Sequence, residues 1–202
     1  MSIPTLHLVM HGVAIKKHAA AAEIASVAAL PVAVVSAELG AACANGRIAN
    51  ANEKYLLTPA GQMILTSEYS RFYGELRIEE KFLWAYSRFE QINKELKQLI
   101  TDWQTMEVGG ARVSNTHADH AYDDRLIARL GDLHERAEPL LAPMIASVPR
   151  LSTYKIKLTH ALERAEDREI AWVSDAKLES YHTVWFELHE DLLRLLGKQR
   201  EE

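Results

Sequence analysis

The sequence predicts a mainly α protein in two parts: a small N-terminal domain of short helices with one β-hairpin over residues 1–62, and an all-helical bundle domain over residues 63–202. Two observations predict this division. Apolar residues recur at three- and four-residue steps along nearly the whole chain, which is the period of amphipathic helices. Charge is spread unevenly: residues 1–62 hold four basic residues (Lys16, Lys17, Arg47, Lys54) and three acidic ones (Glu23, Glu38, Glu53), whereas the other 140 hold 19 basic and 25 acidic. The first part is Ala-rich and sparsely charged; the second reads as long helices with one polar face.

In the first part, Leu6, Met10 and Val13 mark a helix that tolerates Gly12. A short second helix runs through Glu23 to Ala28 and closes at Leu30, and Pro31 suits the first position of a third helix, where its missing N–H has no helical partner anyway. The third helix turns Val35, Leu39 and Ala42 inward and ends at Asn45-Gly46 in a left-handed cap. Arg47-Ile48-Ala49 and Tyr55-Leu56-Leu57, on either side of a polar turn from Asn50 to Lys54, read as a two-stranded hairpin. Thr58 then caps a helix that opens with Pro59.

Helix, helix, turn, helix, hairpin and then Thr58-Pro59-Ala60-Gly61 is the layout of a winged helix-turn-helix with a small hairpin wing. Through Glu23-Ile24-Ala25, Leu30-Pro31, Val35, Leu39, Gly46-Arg47-Ile48 and Tyr55 to Gly61, the chain resembles the winged-helix module of MarR-like bacterial regulators. That resemblance implies DNA binding through the third helix and the wing. The stretch Leu57 to Gly61 and the segment Ser180 to Leu193 also resemble, more distantly, a winged-helix and helical extension of actinobacterial phosphoenolpyruvate-utilising proteins of the pyruvate phosphate dikinase type. The nucleotide-grasp, phosphohistidine and barrel domains of those enzymes have no counterpart here, so this second resemblance implies an accessory module and no catalytic role.

In the second part, Phe82, Tyr86, Phe89, Asn93, Leu96, Ile100 and Trp103 fall on alternating four- and three-residue steps, a heptad seam with Asn93 as its one polar member. Such a seam closes equally well within one chain or between two. Glu107 to Asp119, with Gly109-Gly110, reads as a loop. Tyr122, Leu126, Leu130, Leu133 and Ala137 form the next stripe, which Pro139 and Pro143 are expected to break or restart. Leu151, Tyr154, Leu158, Ala161 and Ala165 form another. The last helix is expected to start at Ser174 or Asp175 and to carry Leu178, Tyr181, Trp185, Leu188, Leu192 and Leu195 on one face, with His182, Phe186, His189 and Leu193 on a second.

Composition excludes several classes. With 48% apolar and 25% charged residues the chain buries a core, and a net charge of -5 excludes a strongly basic nucleic-acid binder, so any DNA contact rests on a local patch. Cys43 is the only cysteine, which rules out a disulfide within the chain and any CxxC metal knuckle, and reads as a small core residue in a reducing compartment. The uncharged run from Val27 to Ala37 contains Pro31 and falls short of the roughly 20 residues of a membrane span. The N-terminus lacks the early basic residues of a secretion signal. A soluble, cytoplasmic protein without a membrane segment is expected.

Chemistry is sparse. No nucleophile motif, phosphate-cradling glycine loop or HExxH appears, so neither a catalytic residue nor a cofactor is assigned. DNA-contacting candidates are Lys16, Lys17, Ser36, Asn45, Arg47 and Lys54, with Arg47 and Lys54 flanking the wing. The other outward positions of the third helix are Val32, Ala33, Ala37, Gly40 and Ala41, which offer no long polar side chain to read a base. Tyr86, Phe89, Trp103, His182, Trp185 and His189 are candidates to line a pocket for a flat apolar effector, although such residues are more often plain core. His134, His160 and His182 could gather a metal from three helices in the manner of GntR-type effector domains, whose ordered Asp-x-x-x-His motif is missing. His117-Ala118-Asp119-His120 with Asp123 and Asp124 is a further ligand-like cluster, read otherwise as a solvated helix start. The expected function is a winged-helix transcription regulator that binds DNA as a homodimer, with an effector among the helices. The alternative is a winged-helix accessory module that does not bind DNA and docks on a protein partner, which the second resemblance implies is a phosphoenolpyruvate-utilising enzyme.

Overall fold

The computed structural model describes residues 3–199, and the chain divides into two compact units. One consists of the residues up to Glu79 together with the segment from His189 onward; the other is Glu80–Leu188. The boundary expected at residue 62 therefore falls inside a helix, and the first unit takes in the end of the chain.

The first unit contains α1 (Thr5–Lys16), α2 (Ala21–Ala28), α3 (Val32–Ala44), β1 (Ile48–Ala51), β2 (Lys54–Leu57), α4 (Pro59–Tyr73) and the second half of α9 (Tyr181–Leu196). Val9, Met10 and Val13 of α1, Ile24 and Val27 of α2, and Val35, Leu39 and Ala42 of α3 are buried, so the predicted inward face of α3 is the observed one. Glu23 accepts from the Ala20 N–H at 2.8 Å and closes the start of α2. Ala29, in the left-handed region, ends that helix, and Pro31 caps α3 from one position earlier than expected. Between α2 and α3 the chain turns through 110°. β1 and β2 pair antiparallel, Ile48 with Leu57 through Ala51 with Lys54. The polar turn is tighter than expected: Asn50 and Lys54 belong to the strands, and only Asn52 and Glu53, both at positive φ, make the corner. That backbone sign at both central residues matches the twist of the flanking strands. Ala19, between α1 and α2, pairs with Tyr55 through two backbone bonds and so adds a third, one-residue strand to the hairpin.

In the second unit, α5 (Glu80–Gln104) lies against α6 (His120–Ser147), followed by α7 (Ser152–Glu166), α8 (Ala171–Ser174) and the first half of α9. Ion pairs Asp102–Arg129 and Glu95–Arg136 run in opposite order along the two helices, so α5 and α6 are antiparallel. Every member of the Phe82–Trp103 seam is buried. Asn93 accepts from the Trp185 indole N–H at 3.0 Å, so its polar group is satisfied within the same chain.

Three expectations are corrected here. Of the expected loop Glu107 to Asp119 only residues 115–119 lack regular structure: β3 (Thr105–Val108) and β4 (Ala111–Ser114) form a second hairpin around Gly109-Gly110, both at positive φ. α6 runs unbroken through Pro139 and Pro143. The two prolines are one turn apart on its outer side, Pro139 exposed and Pro143 half-buried, where the carbonyls they leave unbonded can face water, while buried Leu140, Leu141 and Met144 hold the other side. The last helix begins at Tyr181, not at Ser174; Ser180 Oγ accepts the Thr183 N–H as its cap, and Leu178 lies outside it, exposed. No single helix among the described residues is long and apolar enough to cross a membrane.

Candidate nucleic-acid interface

The hairpin and α3 are fastened to each other by Thr58. Its hydroxyl donates to the Gly46 carbonyl at 2.7 Å and accepts the Gly61 N–H at 3.0 Å, and its own N–H donates to the Arg47 carbonyl at 3.0 Å. The start of α4 thus grips the turn after α3 and fixes the backbone of Arg47. A Cβ on Gly61 would lie 2.0 Å from the Arg47 carbonyl oxygen, so only glycine admits this approach.

Around this joint the structure places the predicted contact residues as follows. Lys16 is the last residue of α1 and half-buried; Lys17 caps that helix at positive φ and is exposed. Arg47 is half-buried at the base of the hairpin, and Lys54, exposed, opens β2. Ser36 and Asn45 are exposed on α3 and at its C-cap. Among the described residues no carboxylate lies within 4.0 Å of Lys17, Arg47 or Lys54. The Ala19–Tyr55 bridge draws the segment after Lys17 against the strand that Lys54 opens. The other exposed residues of α3 are apolar and small, with Val32 48% and Val34 40% exposed, and the half-buried Glu38 is the helix's one carboxylate.

The proposed aromatic pocket is core. Phe89 and Trp185 stack with ring centres 4.6 Å apart, and Tyr181 stacks on the other side of Trp185 at 6.0 Å. Tyr86 is buried on the same helix as Phe89. Trp103 sits about 21 Å along α5 from Phe89 at 1.5 Å per residue, its ring against His117. His182 is half-buried, and burial holds its pKa below the usual histidine value. His189, also buried, belongs to the first unit.

Two of the three histidines named as metal ligands have other contacts. His134 Nδ1 is 3.2 Å from the Tyr181 hydroxyl, and burial lowers its pKa; His160 meets the Trp172 ring edge-on at 5.1 Å. No group of three metal-binding side chains assembles among the described residues, whether from His134, His160 and His182 or elsewhere. His117 pairs with Asp123 at 3.0 Å, and Asn115 donates to the same carboxylate and to the Trp103 carbonyl. That cluster ties the end of β4 to the start of α6.

Sequence reasoning missed a polar cluster in the first unit. His11 Nδ1 is 2.6 Å from the Tyr69 hydroxyl and its Nε2 is 3.1 Å from Asp191 Oδ1; one turn earlier His7 Nδ1 is 2.9 Å from Glu68. The available signal was the four-residue spacing of His7 and His11 on the buried side of α1. His11 and Asp191 have no solvent contact, so that pair joins α1 to α9 inside the unit, while Glu68 at the other end is partly exposed. No protein-family model, no curated protein and no solved structure matches the chain.

Proposed function

We propose that this chain is a winged-helix DNA-binding regulator whose affinity comes mainly from phosphate contacts. One observation carries the reading: α2 and α3 meet at 110° across the three-residue turn Ala29-Leu30-Pro31, and the hairpin that follows is joined by the Ala19 strand between α1 and α2. Helix-turn-helix pairs cross at about 90–120° over turns of this length. Lys17, Arg47 and Lys54, without carboxylate neighbours, supply positive charge beside α3 and on the wing. With Val and Ala outward, α3 reads thymine methyls and groove shape, and Ser36 and Asn45 are its polar contacts. A homodimer would present two such units to two half-sites about 34 Å apart.

The test is fluorescence anisotropy of a labelled duplex from the gene's own upstream region, at two salt concentrations, with random DNA as competitor. Saturable binding that weakens with salt is expected, and Arg47→Ala or Lys54→Ala should each lower the salt slope by about 0.9. No binding at low salt would overturn the proposal. A second reading is favoured by the exposure of Val32 and Val34: the same module docks α3 on a protein. It predicts that Val34→Lys abolishes a protein complex while Arg47→Ala leaves it intact.

A further inference from the structure

We infer that the first unit holds a binding site for a small organic dianion in the cleft between α4 and the end of α9. The cleft measures about 510 Å3, within the size range of small-ligand sites. Among the described residues that line it are three cations, Arg77, Arg194 and Lys198, and one carboxylate, Glu190. Glu190 is engaged by the Arg194 Nε–H at 2.8 Å, one helical turn away.

Arg77 is the built part of the site. Its Nε–H donates to the Leu195 carbonyl at 3.0 Å and its Nη1 to Ser70 Oγ at 3.0 Å, so a carbonyl and a hydroxyl hold the guanidinium in place and leave its charge uncompensated. No carboxylate among the described residues pairs with it. Gly197, at φ +65°, lets the guanidinium lie flat on the chain: a Cβ there would fall 2.9 Å from Arg77 Cζ. Among the described residues none accepts from Nη2, whose N–H groups are the ones offered to a ligand. A planar guanidinium, oriented beforehand, takes two oxygens of a phosphate or carboxylate at once. Leu193 and Tyr69 on the cleft wall suit a short apolar body. The inference stands whether or not the chain binds DNA.

The experiment is isothermal titration of the full chain with phenyl phosphate and, separately, with succinate, against sodium chloride at matched ionic strength as the blank. Saturable binding of at least one dianion, absent from the blank, is expected. The probe that binds tells a phosphate monoester site from a dicarboxylate site. Arg77→Gln should weaken it by about tenfold or more, the loss of a charge-assisted bond. Because Arg77 also caps α9, the double variant Arg194→Gln/Lys198→Gln, which leaves the Arg77 bonds in place, is measured beside it and should also weaken binding. No saturable heat with either dianion, or wild-type affinity in the double variant, overturns the inference.

Discussion

Gly61 leaves no room for a methyl group, because the Arg47 carbonyl oxygen occupies the place where a Cβ would be. Gly61→Ala must therefore push α4 away from the turn after α3 and break the Thr58 bonds. It should cost about 2 kcal/mol or more, read as a lower urea midpoint at an unchanged slope. His134 is a second residue with a measurable consequence. Burial lowers its folded pKa below that of the unfolded chain, so the unfolded state takes up the proton first. Its contribution is complete above the ordinary histidine value and fades as pH falls from there toward the folded pKa. The melting temperature should drop between about pH 7 and 5, and His134→Gln, which can still bond the Tyr181 hydroxyl, should flatten that drop. The carboxylates of Glu95 and Glu138, held low by Arg136 and Lys155, release their contribution only at more acidic pH. The charges of Lys17, Arg47 and Lys54 could be read from the sequence, but their surroundings could not, since each depends on which chain segments fold beside it.

Most elements followed from local rules. Thr58 before Pro59, the Val35-Leu39-Ala42 face and the Phe82–Trp103 seam each express a period or a cap that a few neighbouring residues determine. Where tertiary packing overrides a local rule, the sequence was a poor guide, as in the unbroken α6 with two prolines and the β3–β4 hairpin read as a loop. Asn93 belongs to the same lesson. A lone Asn in a heptad seam suggests a device for choosing a partner, yet its acceptor is taken by Trp185 of the same chain. Asn93→Leu should leave the indole N–H without an acceptor and cost about 1–3 kcal/mol, with no change in oligomeric state by light scattering. Asn93→Leu combined with Trp185→Phe should recover most of the loss, because both polar partners are then removed. An altered oligomeric state in the single variant would refute the intrachain role.

At the scale of the molecule, the first unit is assembled from two distant stretches of chain. Asp191 completes the contacts of His11, and the Leu195 carbonyl receives Arg77. A fragment ending at Glu79 lacks both and would bury a histidine without its carboxylate. It should show no cooperative thermal transition by near-ultraviolet circular dichroism, whereas the full chain should. The expected boundary near residue 62 missed this, because a composition shift marks where a sequence changes character and carries no trace of a returning helix. The effector pocket failed for a related reason: residues far apart in sequence stack face to face and fill the space they were expected to line.

This interleaving also sets an order in time. The ribosome delivers α1 to α4 first and then the whole of Glu80–Leu188 before His189 and Asp191 appear. At about 5–20 residues per second, that is a delay of roughly 5–20 s. Throughout it the nascent first unit carries an unfinished interior, with His11 awaiting its carboxylate. Any binding surface the first unit forms thus matures only after the second unit has been made, so a chain that stops before His189 is released without it.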